Sequence, residues 1–239
     1  MTGGVAGVAT MKHVAPESLG SSVLHSDDIG PVQQRRPYAR WGKRMADIIL
    51  GLCLVPPAAL VFGAALLNRA AGGGPVFYAQ TRIGRGGRAF SCYKFRTMVT
   101  DADAQLARLC AEDPARAREW ALYQKLTDDP RITRFGHLLR RTSLDELPQL
   151  LNVLRGDMSL IGPRPFTVEQ EAAYRAAGGR AYFTLRPGIT GPWQVSARHG
   201  SEFRARVNYD EAYGQSLSAA GDLAILWRTV SVVLRGTGA

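Results

Sequence analysis

The sequence is poor in the residues from which disulfide frameworks and metal clusters are built. Its three cysteines are odd in number and far apart, so we expect reduced thiols facing the cytoplasm. Its four histidines show no metal-ligand spacing. Its glycine-rich stretches match neither a Walker A loop nor a dinucleotide fingerprint. These absences argue against a disulfide scaffold, a zinc module and the common nucleotide-binding folds.

Acidic residues are also scarce, since 20 Asp and Glu stand against 30 Lys and Arg in a chain of 239 residues. The net charge of +10 predicts an anionic partner, which is a nucleic acid, an acidic lipid or a phosphorylated substrate. The length suffices for one substantial domain with extensions. Residues 1–34, rich in Gly, Ser, Val and Ala and without periodicity, are predicted to be a disordered tail.

Charge is absent from residues 48–67, IILGLCLVPPAALVFGAALL, a run long enough to cross a bilayer core of about 30 Å. A buried helix of a soluble protein is the alternative. Basic residues flank the run on both sides, and the aromatic residues Tyr38 and Trp41 lie among the basic residues that precede it. This combination is typical of an anchor at headgroup level. Pro56-Pro57 interrupts the run, and the positive-inside rule places both flanks in the cytoplasm. Residues 35–71 are therefore predicted to form a re-entrant helix rather than a spanning one.

Residues 74–98 alternate apolar and polar positions around a glycine-rich turn and predict strands at 75–80 and 89–95. The connecting loop carries Arg82, Arg85 and Arg88, which suit a solvated rim, a lipid headgroup or a phosphate. Two later Pro/Gly turns, residues 162–165 and 186–192, also present arginines. Arginine can hold phosphate oxygens with two N–H groups at once. Together these segments point toward phosphoryl chemistry.

The stretch RRTSLDELPQLLN, residues 140–152, places two carboxylates side by side. Ser143 and Glu146 fit a capping box ahead of an apolar helical stripe. Pro148 disturbs that interpretation, because it would fall at the fifth helical position. A helix that begins at Asp145 moves Pro148 into the first turn, where proline is tolerated. The pattern fits a helix start alone or a chemical site at a helix start.

Several long motifs in fixed order give the chain a specific resemblance. They are KRMADIILG (43–51), GPVFYAQTRIGRGG (74–87), YKFRTM (93–98), DDPRITRFGHLLRRTSLDELPQLLNVLRGDMSLIGPRP (128–165) and RPGITGPWQVSAR (186–198). Over residues 41–237 the chain resembles the bacterial sugar transferases, the monotopic polyprenyl-phosphate sugar-1-phosphate transferases that start polysaccharide assembly. Its short form resembles those that initiate exopolysaccharide synthesis by transferring galactose phosphate. Ala197 and Pro192 depart from the family's usual glycine and leucine and bear on donor choice.

The resemblance implies an α+β, mostly helical fold with a small β-hairpin or sheet. It implies a re-entrant helix in the inner leaflet, broken at Pro56 or Pro57, and amphipathic helices at the membrane interface. Residues 72–239 would then form a catalytic domain on the cytoplasmic face of the bacterial inner membrane. A C-terminal stripe fits either an interfacial helix or core packing; its members are Leu223, Leu226, Val230, Val233 and Leu234.

The resemblance also implies the chemistry, which is transfer of a sugar-1-phosphate from a UDP-sugar to undecaprenyl phosphate with release of UMP. Asp145 would be the nucleophile, forming an aspartyl intermediate, and Glu146 would hold Mg²⁺. The phosphate- and substrate-binding candidates are Lys94, Arg96, Arg140, Arg164, Arg186 and Arg198. The expected partners are the two substrates and inner-membrane lipid, without nucleic acid, and a homo-oligomer is left open.

Two competing hypotheses remain. A non-enzymatic basic module that binds nucleic acid or anionic lipid would explain the positive charge and the arginines. It would not explain Asp145-Glu146 among them, and the basic segments lack the interleaved aromatics of a single-strand platform. A catalytically silent scaffold would be expected to have lost the two carboxylates, which this chain keeps.

Overall fold

A computed structural model describes residues 37–70, 74–123, 126–196 and 203–234, and confirms a mostly helical fold with little sheet. The tail at residues 1–34 lies outside the described residues. The helices are α1 Lys43–Cys53, α2 Val55–Ala70, α3 Ala102–Glu112, α4 Pro114–Tyr123, α5 Arg134–Arg141, α6 Gln149–Arg155, α7 Val168–Ala176, α8 Ala181–Thr184, α9 Pro192–Ser196, α10 Arg206–Ser216 and α11 Ala219–Leu234. The strands are β1 Phe77–Ile83, β2 Ala89–Phe95, β3 Ser159–Ile161 and β4 Gly188–Thr190. A π-helical segment, Tyr38–Gly42, leads into α1.

The uncharged run folds as α1 and α2, which are separated at Leu54. Pro56 and Pro57 lie in the first turn of α2, where a backbone N–H has no intrahelical partner and proline is tolerated. Across the described residues, each helix taken alone is too short or too polar to cross a bilayer. The two halves Tyr38–Cys53 and Val55–Ala70 reach that length and composition only together, with a bend of 48° between them.

Apolar side chains cover much of the outer surface of α1, α2 and α11. Leu60 is 78 % exposed, Leu67 is 74 % exposed and Trp227 is 75 % exposed. Large apolar side chains in such number are rare on the surface of a soluble monomer and mark an interaction surface. The stripe predicted on the C-terminal helix is divided, because Leu226 packs against the core while Leu223 and Val230 are exposed.

The predicted hairpin is present as the antiparallel pair β1–β2, in register from Phe77 opposite Phe95 to Ile83 opposite Ala89. Its turn uses Gly86 and Gly87, whose φ angles of 70° and 76° belong to the left-handed region that glycine adopts easily. The second strand is as predicted, whereas the first begins and ends later than predicted. Arg82 therefore belongs to β1 and not to the loop, because strand pairing continues up to the glycines.

A second, parallel pair brings the two Pro/Gly turns together. In it β3 and β4 pair through Ser159 opposite Gly188 and Ile161 opposite Thr190. The backbones beyond them approach so closely that a Cβ at Gly188 would lie 2.1 Å from the nitrogen of Gly162. Only glycine allows this approach, so the glycines fix where the loop after β3 lies.

Helix α6 packs between these two sheets. The buried Asn152 donates to the Ser91 carbonyl at 2.8 Å and accepts from the Tyr93 backbone N–H at 3.1 Å, which joins α6 to β2. Leu150 and Val153 belong to the same apolar cluster as Leu160 of β3. These contacts hold the segment just before α6 against the hairpin.

Candidate active site

The two adjacent carboxylates lie on a single 3₁₀ turn, Leu144–Glu146, between α5 and α6. Ser143 precedes it with a φ of 55° and makes no capping bond through its side chain. Helix α6 begins only at Gln149, with Pro148 as its N-cap. The predicted helix start at Asp145 and the capping box are therefore both wrong. The backbone bonds here run from residue i to i−3, as from the Leu147 N–H to the Leu144 carbonyl, so this segment is 3₁₀ and the α-helix starts later.

Two cations from distant segments meet these carboxylates. The Nζ of Lys94, on β2, lies 2.8 Å from Glu146 Oε1 and 3.6 Å from Asp145 Oδ2. The Nη2 of Arg164, in the loop after β3, lies 3.3 Å from the same Glu146 oxygen. The fold thus brings four of the predicted site residues into one cluster, with Glu146 bridged between two positive charges.

Asp145 is the more enclosed of the two acids, with 9 % of its surface exposed. Burial raises the pKa of its carboxyl group, and the negative charge of Glu146 raises it further. Lys94 opposes burial most strongly, and the charges of Arg140 and Arg164 also lower the pKa. The surrounding cations therefore favour the anion at a buried position that otherwise disfavours it.

Arg164 is itself held by the buried Arg206 of α10, which donates to the Arg164 carbonyl. The Nε of Arg206 lies 3.4 Å from Asp210 Oδ2, and the Tyr174 hydroxyl donates to that oxygen at 3.0 Å. Aromatic rings surround the Arg206 guanidinium; they are those of Phe166, Tyr174, Tyr182, Trp193 and Phe203. This support is not predicted from the sequence, although Arg206 and Asp210 are spaced i,i+4 as helical ion pairs are.

The other predicted phosphate-binding residues have their polar and ring contacts away from the two acids. Arg140 donates from Nε to Thr97 Oγ1 at 2.9 Å and influences Asp145 only through its charge. Arg186 donates to the Gly156 carbonyl at 2.8 Å. Arg96 lies over the ring of Tyr78 at 5.5 Å, and its buried Nε has no hydrogen-bond partner within the described part of the chain. Arg198 lies outside the described residues.

A small, open cleft lies beside the acids and is lined on one side by Glu146. Its lining combines Lys94, Glu146 and Arg164 with residues that the sequence analysis did not select for the site: Arg82, Cys92, Gln149, Pro165, Gly188 and Ile189. Arg82 could have been selected had the strands been extended to the turn, because their register then places it on the same hairpin face as Lys94.

The acids suit a metal ion that is shared with a substrate. Where the structure describes the chain, it contains no group of three or more His, Cys, Asp or Glu side chains able to hold a metal. Mg²⁺, however, is commonly held by one or two carboxylates, with substrate phosphates and water completing its shell. Asp145 and Glu146 therefore fit Mg²⁺ bound together with a phosphorylated substrate, and do not form a closed protein cage.

Comparison with known proteins gives a consistent result. The sequence model of the bacterial sugar transferases matches residues 38–236. The exopolysaccharide production protein ExoY of Sinorhizobium fredii is 41% identical over 207 residues, which cover 85% of this chain and 90% of that protein.

The UDP-galactose-lipid carrier transferase of Erwinia amylovora is 44% identical over 203 residues, which cover 84% of this chain and 42% of that protein. The undecaprenyl-phosphate galactose phosphotransferase of Salmonella typhimurium is 42% identical over 201 residues, again 84% and 42%. The chain thus spans most of the first relative and less than half of the other two.

Proposed function

The chain belongs to the bacterial sugar transferase family, and on that premise we propose that it transfers a sugar-1-phosphate from a UDP-sugar to undecaprenyl phosphate and releases UMP. The names of the Salmonella and Erwinia relatives support the lipid acceptor and the nucleotide-sugar donor. The ExoY relatives support a role at the first membrane step of exopolysaccharide synthesis. The observation that carries the proposal is the buried Asp145 beside Glu146, Lys94 and Arg164 at a cleft.

The reaction consists of two displacements at phosphorus. A carboxylate oxygen of Asp145 attacks the phosphorus that bears the sugar, and the bond between that phosphorus and the UMP oxygen breaks. The lipid phosphate oxygen then attacks the same phosphorus, and the bond to Asp145 breaks, which restores the carboxylate. A carboxylate can act in this way without a general base, because its ordinary pKa lies far below neutrality.

Charge is the main obstacle, because an anion must approach an anionic diphosphate. Lys94 and Arg164 lie where their positive charges reduce this repulsion and stabilise the developing negative charge. Glu146 is the residue that would hold Mg²⁺, with Asp145 next to it. When bound, Mg²⁺ supplies further positive charge to the donor's phosphates. Lys94 and Arg164 also fix the position of Glu146, so it is oriented before the substrate arrives.

We propose that α1 and α2 enter and leave the inner leaflet of the bacterial inner membrane from the cytoplasmic side. The 48° bend and the exposed apolar side chains of both helices support this arrangement. The remainder of the described chain, within residues 72–239, would then lie on the membrane surface. Because the phosphate of a lipid acceptor lies at headgroup level, the acids must lie near that level too.

The test is mass spectrometry of the full chain, quenched after mixing with UDP-sugar and Mg²⁺ and no lipid acceptor. We expect a hexose-phosphate adduct on the peptide that contains Asp145, together with at most one equivalent of UMP per enzyme, and ping-pong kinetics once acceptor is added. Asp145→Asn should lose the adduct, the UMP burst and turnover. Glu112→Gln, at an exposed position at the end of α3, is the matched control and should keep all three. Full activity of Asp145→Asn, or kinetics that require both substrates bound before UMP leaves, would overturn the mechanism.

A further inference from the structure

Arg82 lines the same cleft as Glu146, the neighbour of Asp145, but forms an ion pair with neither acid. Its Nη2 donates to the neutral Gln80 side chain at 2.5 Å, and it forms no ion pair with any carboxylate of the described residues. Burial lowers the pKa of its guanidinium, because water has been removed from around the charge. The hydrogen bond from Thr167 has the largest influence on the pKa of the exposed Glu169, and the charge of Arg82 has the smallest. Glu169 is therefore a weak counter-charge at most.

The other two cations of the cleft, unlike Arg82, each have an anionic partner. Lys94 and Arg164 both contact Glu146, so their charges already have an anionic partner. A half-buried guanidinium that lacks one is unfavourable for folding, because water has been removed without a compensating charge. Such a group is characteristic of a site where the missing anion is a ligand.

The strand register places Arg82 relative to Lys94. Arg82 lies opposite Phe90, and Lys94 lies opposite Tyr78, with the pair Gln80 and Cys92 between them on the same face. The pair that contains Arg82 and the pair that contains Lys94 are four residues apart along each strand, which corresponds to about 13 Å. The hydrogen bond to Gln80 shows that the Arg82 side chain is directed back toward Lys94, which shortens this separation. On the hairpin, Lys94 therefore lies beside Asp145, and Arg82 is a second positive group farther along the same face.

We propose that Arg82 binds the leaving phosphate of the donor, the phosphate that departs as UMP. This inference rests on the proposed function and adds a residue to it. Phosphoryl transfer places the attacking and leaving oxygens roughly in line on opposite sides of the phosphorus. A group that serves the leaving phosphate must therefore lie away from the nucleophile, as Arg82 does. Its guanidinium donates to the phosphate oxygens and stabilises the charge that builds up as the phosphorus–oxygen bond to UMP breaks.

The experiment measures UMP binding by calorimetry, without turnover, in the purified full chain reconstituted in detergent. Losing a hydrogen bond between two charged groups should weaken UMP binding about 10- to 100-fold in Arg82→Gln. Arg82→Lys should recover part of the loss, because it keeps the charge without the two-pronged geometry. Arg88→Gln is the matched control, since Arg88 is exposed beside the same turn and does not line the cleft. It should change UMP binding by no more than about twofold, the effect of an ordinary surface substitution.

Thermal unfolding without ligand separates this role from a structural one. Because Arg82 has no carboxylate partner, Arg82→Gln should leave the midpoint unchanged or raise it, whereas a structural arginine would lower it on removal. Unchanged UMP binding in Arg82→Gln overturns the proposal. If, in addition, the KM for undecaprenyl phosphate rises in this variant, the guanidinium serves the acceptor's phosphate instead. A wild-type chain that binds UMP through Arg82 but makes no lipid product would contradict the proposed function and leave this assignment standing.

Discussion

The buried cluster behind Arg164 makes folding stability depend on pH through Asp210. Burial raises the pKa of Asp210 to about 6 from an ordinary 3.8, and its pairing with Arg206 only partly opposes this. Its Oδ1 has no hydrogen-bond partner among the described residues, so one oxygen of the carboxylate loses water without compensation. The Asp210 charge is therefore a net cost to the folded state.

The direction of this pH dependence follows from the coupling between proton binding and folding. The folded state binds the Asp210 proton more tightly than the unfolded state does, so this group destabilises the fold above pH 6 and ceases to do so as the pH falls toward 3.8. The full penalty is about 3 kcal/mol, because each unit of pKa difference corresponds to 1.36 kcal/mol. About half of it, roughly 1.4 kcal/mol, is relieved between pH 7.5 and pH 5.

Asp210→Asn isolates this contribution, because asparagine has a similar shape and does not titrate. We expect the wild type to gain about 3–6 °C in unfolding midpoint relative to Asp210→Asn when the pH is lowered from 7.5 to 5. The assay is thermal unfolding of both proteins in the same detergent at each pH. Asp128→Asn, which removes an exposed carboxylate outside this cluster, controls for the loss of one negative charge. A difference between wild type and Asp210→Asn that stays constant across this range would show that Asp210 titrates normally and would refute the reasoning.

Two further predictions concern the metal and the membrane segment. Glu146→Gln should raise the Mg²⁺ concentration needed for half-maximal UMP release about tenfold, the effect of losing one charged contact, and excess Mg²⁺ should restore part of the rate; an unchanged Mg²⁺ titration would contradict a role for Glu146 as metal ligand. Single cysteines at positions 40 and 85 of a cysteine-free variant should resist membrane-impermeant reagents in intact cells. Pro56→Leu combined with Pro57→Leu should expose position 85 or position 40 to these reagents in part of the molecules, because the helix break is removed. Labelling of either position without the proline changes would contradict re-entry.

The sequence predicts best the features that a few local residues determine. The break ahead of Pro56-Pro57 is one, because proline acts on the helix that contains it. The strand at residues 89–95 is another, because exposed and more buried positions alternate along its first half and aromatic residues continue it to Phe95. The site residues Asp145, Glu146, Lys94 and Arg164 come instead from the resemblance to the family, and the structure places these side chains together.

Features that depend on distant contacts could not be predicted in the same way. The left-handed Ser143 is an example, because serine has no intrinsic preference for that region, and the 3₁₀ turn after it is packed against β2. The pairing of β3 with β4 is another, because three-residue strands carry no usable alternation and depend on the close approach of glycines 26 residues apart in the sequence. The hydrogen bond from Arg186 to the Gly156 carbonyl is a third example, and phosphate binding by Arg186 stays a prediction.

The connection between α1 and the acids is short and buried, which bears on how the proposed arrangement could present the acids to a lipid phosphate at a fixed depth. Asp47 of α1 accepts from the Ser159 hydroxyl at 2.8 Å and from the Leu160 N–H at 2.9 Å, just before the loop that carries Arg164. Arg44, one turn earlier, donates to two carbonyls at the end of α6, the helix that follows Glu146. A positive charge at a helix C-terminus is favourable in itself, and a buried carboxylate that accepts two hydrogen bonds resists displacement. Helix α1, which carries part of the exposed apolar surface, thus fixes both segments flanking the cleft. In the proposed re-entrant arrangement, the depth of α1 in the bilayer would therefore set the height of Asp145 above it.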